Sequence, residues 1–201
     1  MLQVAAYALS GWFLVRPWLR RIGASQAELR RTYPGDELFG HAEVVTRAIT
    51  IEARASEVWP WIAQMGYGRA GWYSIDLLDN LGRSSAREIV PALQGLGIGD
   101  VVPFGPRSAF RVHDIERERF LVLTYEGRAW SGSWLFWLEP IDDQRTRLVE
   151  RIRSNGGGSP LAQLATVFGE AADVVMMLAH LRNLKRRAER YAEGRRSSEV
   201  G

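Results

Sequence analysis

The sequence predicts an α+β domain in which a curved antiparallel sheet of about six or seven strands wraps round one long C-terminal helix, with two short helices after the first strand. Three observations carry that prediction. A segment of period-two hydrophobicity near Val45 is followed by two short stretches of helical spacing. Five strand-like segments then follow one another from Asp100 to Arg153, with connections too short for parallel crossovers. Finally, the break at Asn155 to Pro160 opens a helical pattern that runs to about Ala192.

The elements follow in order. Residues 1–21 are apolar and uncharged up to Val15, then bordered by Arg16, Pro17, Trp18, Arg20 and Arg21. The run is shorter than the ~18 to 20 residues that span a bilayer, and it lacks the basic start and small-residue cleavage site of a signal peptide. It reads as a helix packed on the domain or a partner copy, as a membrane-associated or truncated anchor making peripheral contact, or, as the least of the three, as an export segment. In the second case the arginines place the domain at the cytoplasmic face, and a cytoplasmic location is the expectation in either of the first two. Residues 22–42 read as a linker with a short helix capped by Ser25 and stopped by the Tyr33, Pro34, Gly35, Asp36 cluster.

The domain proper is expected over residues 43–193. Val45, Ile49 and Ile51 alternate with Thr46, Thr50 and Glu52, a half-buried strand whose apolar side Arg47 interrupts. Val58, Trp59, Ile62 and Met65 recur at helical spacing over 56–65, with Pro60 expected in the first turn and Gly66 as the stop. A second short helix is expected over 74–81, capped by Ser74 and closed by Gly82. Strands are predicted over 100–104, 109–116, 120–126, 130–139 and 146–153, joined as a meander through hairpins. The last helix carries a stripe of Leu161, Leu164, Phe168, Ala171, Val175 and Leu178. Residues 194–201 read as a disordered tail.

Composition narrows the function classes. The 201 residues are 46% apolar and 24% charged, enough for one sizeable core. The net charge of +3 is too small for the dense basic stripe that nucleic acid demands, so no nucleic-acid partner is expected. The run Arg182, Lys185, Arg186, Arg187, Arg190 reads as a solvated face whose charge suits the helix C-terminus. With no cysteine, disulfides and thiolate chemistry are excluded. His41, His113 and His180 have no ligand spacing, so neither metal nor cofactor is expected. Gly66, Gly68 and Gly71 spell a nominal dinucleotide motif, but they follow a helix instead of a strand and read as turn formers. Gly156 to Gly158 lack the Gly-Lys-Ser/Thr ending of a phosphate loop and read as a hinge.

The element order, together with residues 47–61 (RAITIEARASEVWPW) and 71–80 (GWYSIDLLDN), resembles the SRPBCC superfamily, the START and Bet v 1-like helix-grip domains with their polyketide cyclase-like and lipid-transfer members. The resemblance covers roughly residues 41–192. The Arg16 to Trp18 motif behind an apolar segment is similar to a bacterial branch of that superfamily. It implies a cavity between sheet and helix, and it is nearly silent about reaction, because the superfamily holds binders, carriers and enzymes without a shared catalytic signature.

Candidate site residues come from strand parity and from that resemblance. Trp130, Trp134 and Phe136 share one face of their strand with Leu138 and Gly132, a wall suited either to a flat ligand or to plain core packing. Glu150 falls on the inward face beside Leu148 and Ile152, while Arg145, Arg147, Val149, Arg151 and Arg153 take a face expected to be wetter. An inward carboxylate must be paired, hydrogen-bonded or protonated, and Arg47 is the expected partner; ligand anchoring or general-acid work is the alternative. The resemblance places Trp72, Tyr73 and Asp76 near the pocket mouth, either orienting a ligand or forming a capping network. Phe168 and Val175 would face the pocket from the helix. His180, which shares a helical face with Asp173 and Met177, reads as a surface or satisfied histidine, an acid–base pair being the lesser reading. The leading functional expectation is binding or carriage of an apolar or aromatic small molecule, with no catalytic residue assigned. The alternatives are a cyclase or aromatase-type enzyme in which Glu150, Asp76 or Tyr73 moves protons, and an interaction module without a usable cavity.

Overall fold

The computed structural model describes residues 15–127, 130–156 and 160–200, with side chains in the last helix described from Asp173 to Ser198. Residues 15–19 (α1) are helical and precede α2 (Gln26–Arg30), β1 (Glu43–Ile51), α3 (Ala55–Ala63) and α4 (Asp76–Asp79). A 3-10 turn at Pro91–Leu93 leads to β2 (Val101–Gly105), β3 (Ser108–Glu116), β4 (Phe120–Glu126), β5 (Trp130–Pro140), β6 (Thr146–Gly156) and α5 (Pro160–Val200). The six strands form one antiparallel sheet in the order β1-β6-β5-β4-β3-β2, so the chain's first strand closes against its last.

Curvature has local causes. The register slips between Pro103 and Gly105 in β2 and between Val112 and Asp114 in β3, and each bulge bends and twists its strand. Gly132 sits opposite Ser154, where an added Cβ would stand 2.3 Å from the Arg153 carbonyl oxygen, so glycine alone lets β5 and β6 close at that point. The concave face holds the main core. Phe110, Val112, Leu121, Leu123, Phe136, Leu138 and Leu148 from the sheet meet Trp61 and Ile62 of α3 and Leu181, Leu184, Ala188 and Ala192 of α5. Each such leucine stabilises the fold by about 1.5–3 kcal/mol, and they recur at helical spacing, which fixes the roll of α5 on the sheet.

Several expectations change on the convex face. Val149 is fully buried there and Arg151 is 5% exposed, so this side of β6 is not wetter. The segment expected to be a linker is a strap across it: Tyr33, Ala24 and Leu38 pack on Ala48, Phe120, Val122, Leu135, Trp137 and Val149, a second apolar cluster. Arg151 fastens the strap, donating to the carbonyls of Glu28, Leu29 and Arg31 at the end of α2, to Asp36 Oδ2 at 2.6 Å and to Thr46 Oγ1. Guanidinium suits this place because its fan of N–H groups meets several carbonyls at once. Ser25 and Glu28 form the capping box that starts α2.

The described part of the N-terminal segment lies on the domain. Arg20 and Ile22 carbonyls accept the N–H groups of Thr46 and Ala48, covering the edge of β1, and Arg16 and Arg20 pair with Glu43. Residues 1–14 fall outside the described residues, and among those described no helix is long and apolar enough to cross a membrane.

Other boundaries shift for local reasons. α3 begins at Ala55, where the Glu57 carboxylate accepts the Arg54 N–H, and this puts Pro60 in the second turn instead of the first. α4 is a single turn whose N-cap is Ile75; Ser74 does not cap it, because its hydroxyl donates to the Met176 carbonyl of α5. Gly66 and Gly71 pair as an isolated bridge with positive φ at both, a turn and not a nucleotide loop. Residues 194–198, expected to be disordered, continue α5. The hydroxyls of Ser197 and Ser198 bond back to the carbonyls of Glu193 and Gly194, Arg196 reaches Gln144, and a lone glycine costs only about 1 kcal/mol in a helix. The Gly157 and Gly158 part of the expected hinge lies outside the described residues, as do the side chains of Leu161, Leu164, Phe168 and Ala171.

Candidate functional site

The site is built where α5 crosses the sheet. β5 supplies Trp134, β3 supplies Phe110 and β2 supplies Phe104, all on the concave side. The segment after α3 adds Trp72, Ser74 and Asp79, and α5 adds Asp173, Met176, Met177 and His180. Together they line a cavity of about 250 Å³. Its walls are aromatic by design of parity: Phe110 faces inward because Arg111 on its flank faces out, and Trp134 shares its face with Phe136. Trp72 lies flat on Trp134 at 5.2 Å between centroids, and Phe110 meets both edge-on. The buried indole N–H groups of Trp72 and Trp134 have no hydrogen-bond acceptor among the described residues.

His180 closes the inner end. It is 2% exposed and sits among the rings of Tyr73, Trp134 and Phe136. Its Nδ1 donates to the Trp72 carbonyl, and its Nε2 faces Glu150 Oε1 at 3.0 Å. Burial pulls its pKa down, but the Glu150 charge, the hydrogen bond to it and the Trp72 carbonyl outweigh that pull and hold the imidazole above its ordinary value. Glu150 is 1% exposed, so each member of the pair is the other's means of surviving burial; Glu150 Oε2 makes no hydrogen bond among the described residues. The expected Arg47 partner is corrected. Arg47 stands opposite Glu150 across β1 and β6, but its guanidinium reaches Asp173 Oδ2 at 3.2 Å instead, because α5 brings a histidine directly over the glutamate.

Asp79 adds the other acidic group. Both carboxylate oxygens are screened from solvent and make no hydrogen bond of good geometry among the described residues, the Asp79 and Ser74 amides only approaching them. Burial, then the charge of Asp76, lifts its pKa, offset only in part by His180 and by the Asp79 and Ser74 amides. Nothing in the pattern of a four-residue helix distinguishes Asp79 from an ordinary surface acid, which is why sequence reading missed it. Phe104 and Phe110 are legible from strand parity, whereas Met176 and Met177 follow only from the roll of α5.

The anticipated residues divide. Trp72 and Trp134 line the cavity, and Glu150 lies behind it through His180. Tyr73 does not reach it: its hydroxyl donates to the Trp61 carbonyl and accepts from Gln64, burial pushes its pKa up, and it serves the core. Asp76 accepts from the Ser85 amide and hydroxyl, a loop-closing network. Phe136 is fully buried behind Trp134, and Trp130 packs with Phe104 and Tyr125 toward the sheet's end. Val175 is 58% exposed, on the outer side of α5. Phe168 lies outside the described side chains.

No family model and no curated protein matches this chain. Solved structures do. The Zhui aromatase/cyclase from Streptomyces sp. R1128 superposes with a TM-score of 0.51 at 18% identity, over 75% of this chain and 95% of that one. A START superfamily protein from Mycobacterium smegmatis matches with a TM-score of 0.42 at 12% identity, over 75% and 97% of the two chains. Protein MLL2253 from Mesorhizobium loti gives 0.47 at 14% identity, over 74% and 98%. The chain shares with that aromatase/cyclase a fold in which a curved antiparallel sheet closes on a long C-terminal helix.

Proposed function

We propose that this protein binds an apolar or aromatic small molecule between its sheet and α5. The supporting observation is the cavity of about 250 Å³ walled by Trp72, Trp134, Phe104, Phe110, Met176 and Met177. That volume stands just under the ~300–1,000 Å³ of drug-sized sites, so the ligand is compact. Stacked indoles favour a flat ring, and methionines adapt to its outline. The unpartnered indole N–H groups and Asp79 give such a ligand two kinds of polar neighbour, an acceptor-seeking and a donor-seeking one.

A second reading has its own support. Asp79 is held toward its protonated form beside a cavity, the condition for a general acid acting on a cyclising or aromatising substrate. Native mass spectrometry of protein purified from its host, followed by organic extraction, separates the readings. An apolar compound released intact, and lost from Trp134→Ala, supports carriage. A bound compound that is converted on incubation, with conversion abolished by Asp79→Asn, supports the enzyme. No adduct, and tryptophan fluorescence unmoved by a panel of aromatic compounds, would overturn both and leave an interaction module.

A further inference from the structure

A second concavity, of about 650 Å³, lies between α5 and the loop that follows α4. It is lined by Arg87, Glu88 and Ile89 of the loop, by Asn183, Arg186, Arg187, Arg190 and Tyr191 of α5, and by Trp61 of α3. Helical spacing explains the crowding: Asn183, Arg186, Arg187 and Arg190 fall at positions i, i+3, i+4 and i+7 and stand on one face. Four arginines face one glutamate, a local excess of three positive charges.

That excess is not spent on the protein. Arg87, Arg186 and Arg190 are exposed and make no ion pair or side-chain hydrogen bond among the described residues. Arg187 is anchored, donating to the carbonyls of Ala86 and Asn183 with its guanidinium 4.6 Å over the Tyr73 ring. Its pKa is lowered, by burial first, with the charges of Arg190 and Arg87 adding to the effect against Tyr73 and Asp76. A folded chain that holds like charges together at a concave surface, with one member fixed by backbone carbonyls, is arranged for an anion. An independent observation agrees. Trp61, 2% exposed, lies at the groove and its indole N–H has no acceptor among the described residues.

We infer that this groove is a binding site for a phosphate-bearing small molecule, with the anionic end on Arg87, Arg186, Arg187 and Arg190 and the rest of the molecule against Ile89 and Tyr191. Phosphate is favoured over a single carboxylate because three uncompensated charges call for a multiply charged partner, and guanidinium matches phosphate oxygens two at a time. A concave groove floored by Trp61 and Tyr191 favours a discrete small molecule over the flat contact of a lipid surface. The site is distinct from the ligand cavity. Tyr73 lies between them, under Arg187 on one side and against His180 on the other.

The test uses inorganic pyrophosphate as the probe, titrated into the full chain with isothermal calorimetry and phosphorus NMR. Saturable binding at one site is expected, weakened by raising salt from about 50 mM to about 200 mM. Arg186→Gln with Arg190→Gln should weaken it about tenfold or more, since each removes charge-assisted hydrogen bonds. Both side chains are exposed, so the variant keeps its fold, to be verified by an unchanged melting curve. The control Arg117→Gln removes an arginine that is 73% exposed and remote in sequence, and should leave the affinity unchanged. Absence of saturable binding overturns the inference. So does an equal loss in the control, which would mean general charge attraction, or binding to vesicles of anionic phospholipid without binding to pyrophosphate, which would assign the patch to a membrane surface.

Discussion

The buried His180–Glu150 pair makes stability fall with rising pH, and the sign follows from the geometry. In the unfolded chain the imidazole titrates near 6.5. In the folded protein Glu150 at 3.0 Å and the Trp72 carbonyl hold its proton to a higher pH. The pair's contribution is therefore fully present below about pH 6.5 and is lost as pH rises through the folded value. Inside that window the native state holds one more proton than the unfolded state, so each pH unit removes about 1.4 kcal/mol. The assay is urea unfolding at intervals from about pH 6 to about pH 9, read by tryptophan fluorescence, beside ring-proton NMR of the three histidines. Glu150→Gln keeps the shape and lets an amide donate to a neutral imidazole, so its stability should lose the downward slope and its His180 should titrate lower. Asp79→Asn, which removes the other carboxylate that acts on His180, should keep most of the slope. A wild-type stability that is level or rising across the window, or a Glu150→Gln variant with the same slope, would refute the reasoning.

Other predictions concern the strap, the sheet and the cavity. Arg151→Met should cost about 3 kcal/mol, the lower end for breaking a buried pair because Arg153 still reaches Asp36, and chemical denaturation with a red-shifted Trp137 emission would register it. Gly132→Ala should destabilise by about 1–3 kcal/mol, since its methyl meets the Arg153 carbonyl; a variant as stable as the parent would mean that β5 and β6 separate freely there. Asp79→Asn should raise stability at neutral pH, because the folded state disfavours the charged carboxyl that the unfolded state carries freely, and thermal melts at about pH 7 and about pH 4 should show the gain shrinking in acid.

The alternation in residues 45–51 and in the five later strands was sufficient for an antiparallel sheet, since side-chain parity and hairpin-length connections leave little choice. The same parity turned Trp134 and Glu150 inward. Parity is silent about what lies opposite. Nothing local told the convex face of β6 that residues 24–38 would cover it, so Arg151 read as solvated when it is the strap's fastening. The partner of Glu150 was likewise a matter of how α5 lands: a histidine thirty residues away displaced the cross-strand arginine because helix roll, set by Leu181 and Leu184 in the core, carries His180 over the glutamate. Local sequence thus determined each element and the face it buries; only tertiary packing decided which buried charges meet, because that depends on distances between elements that no periodicity encodes.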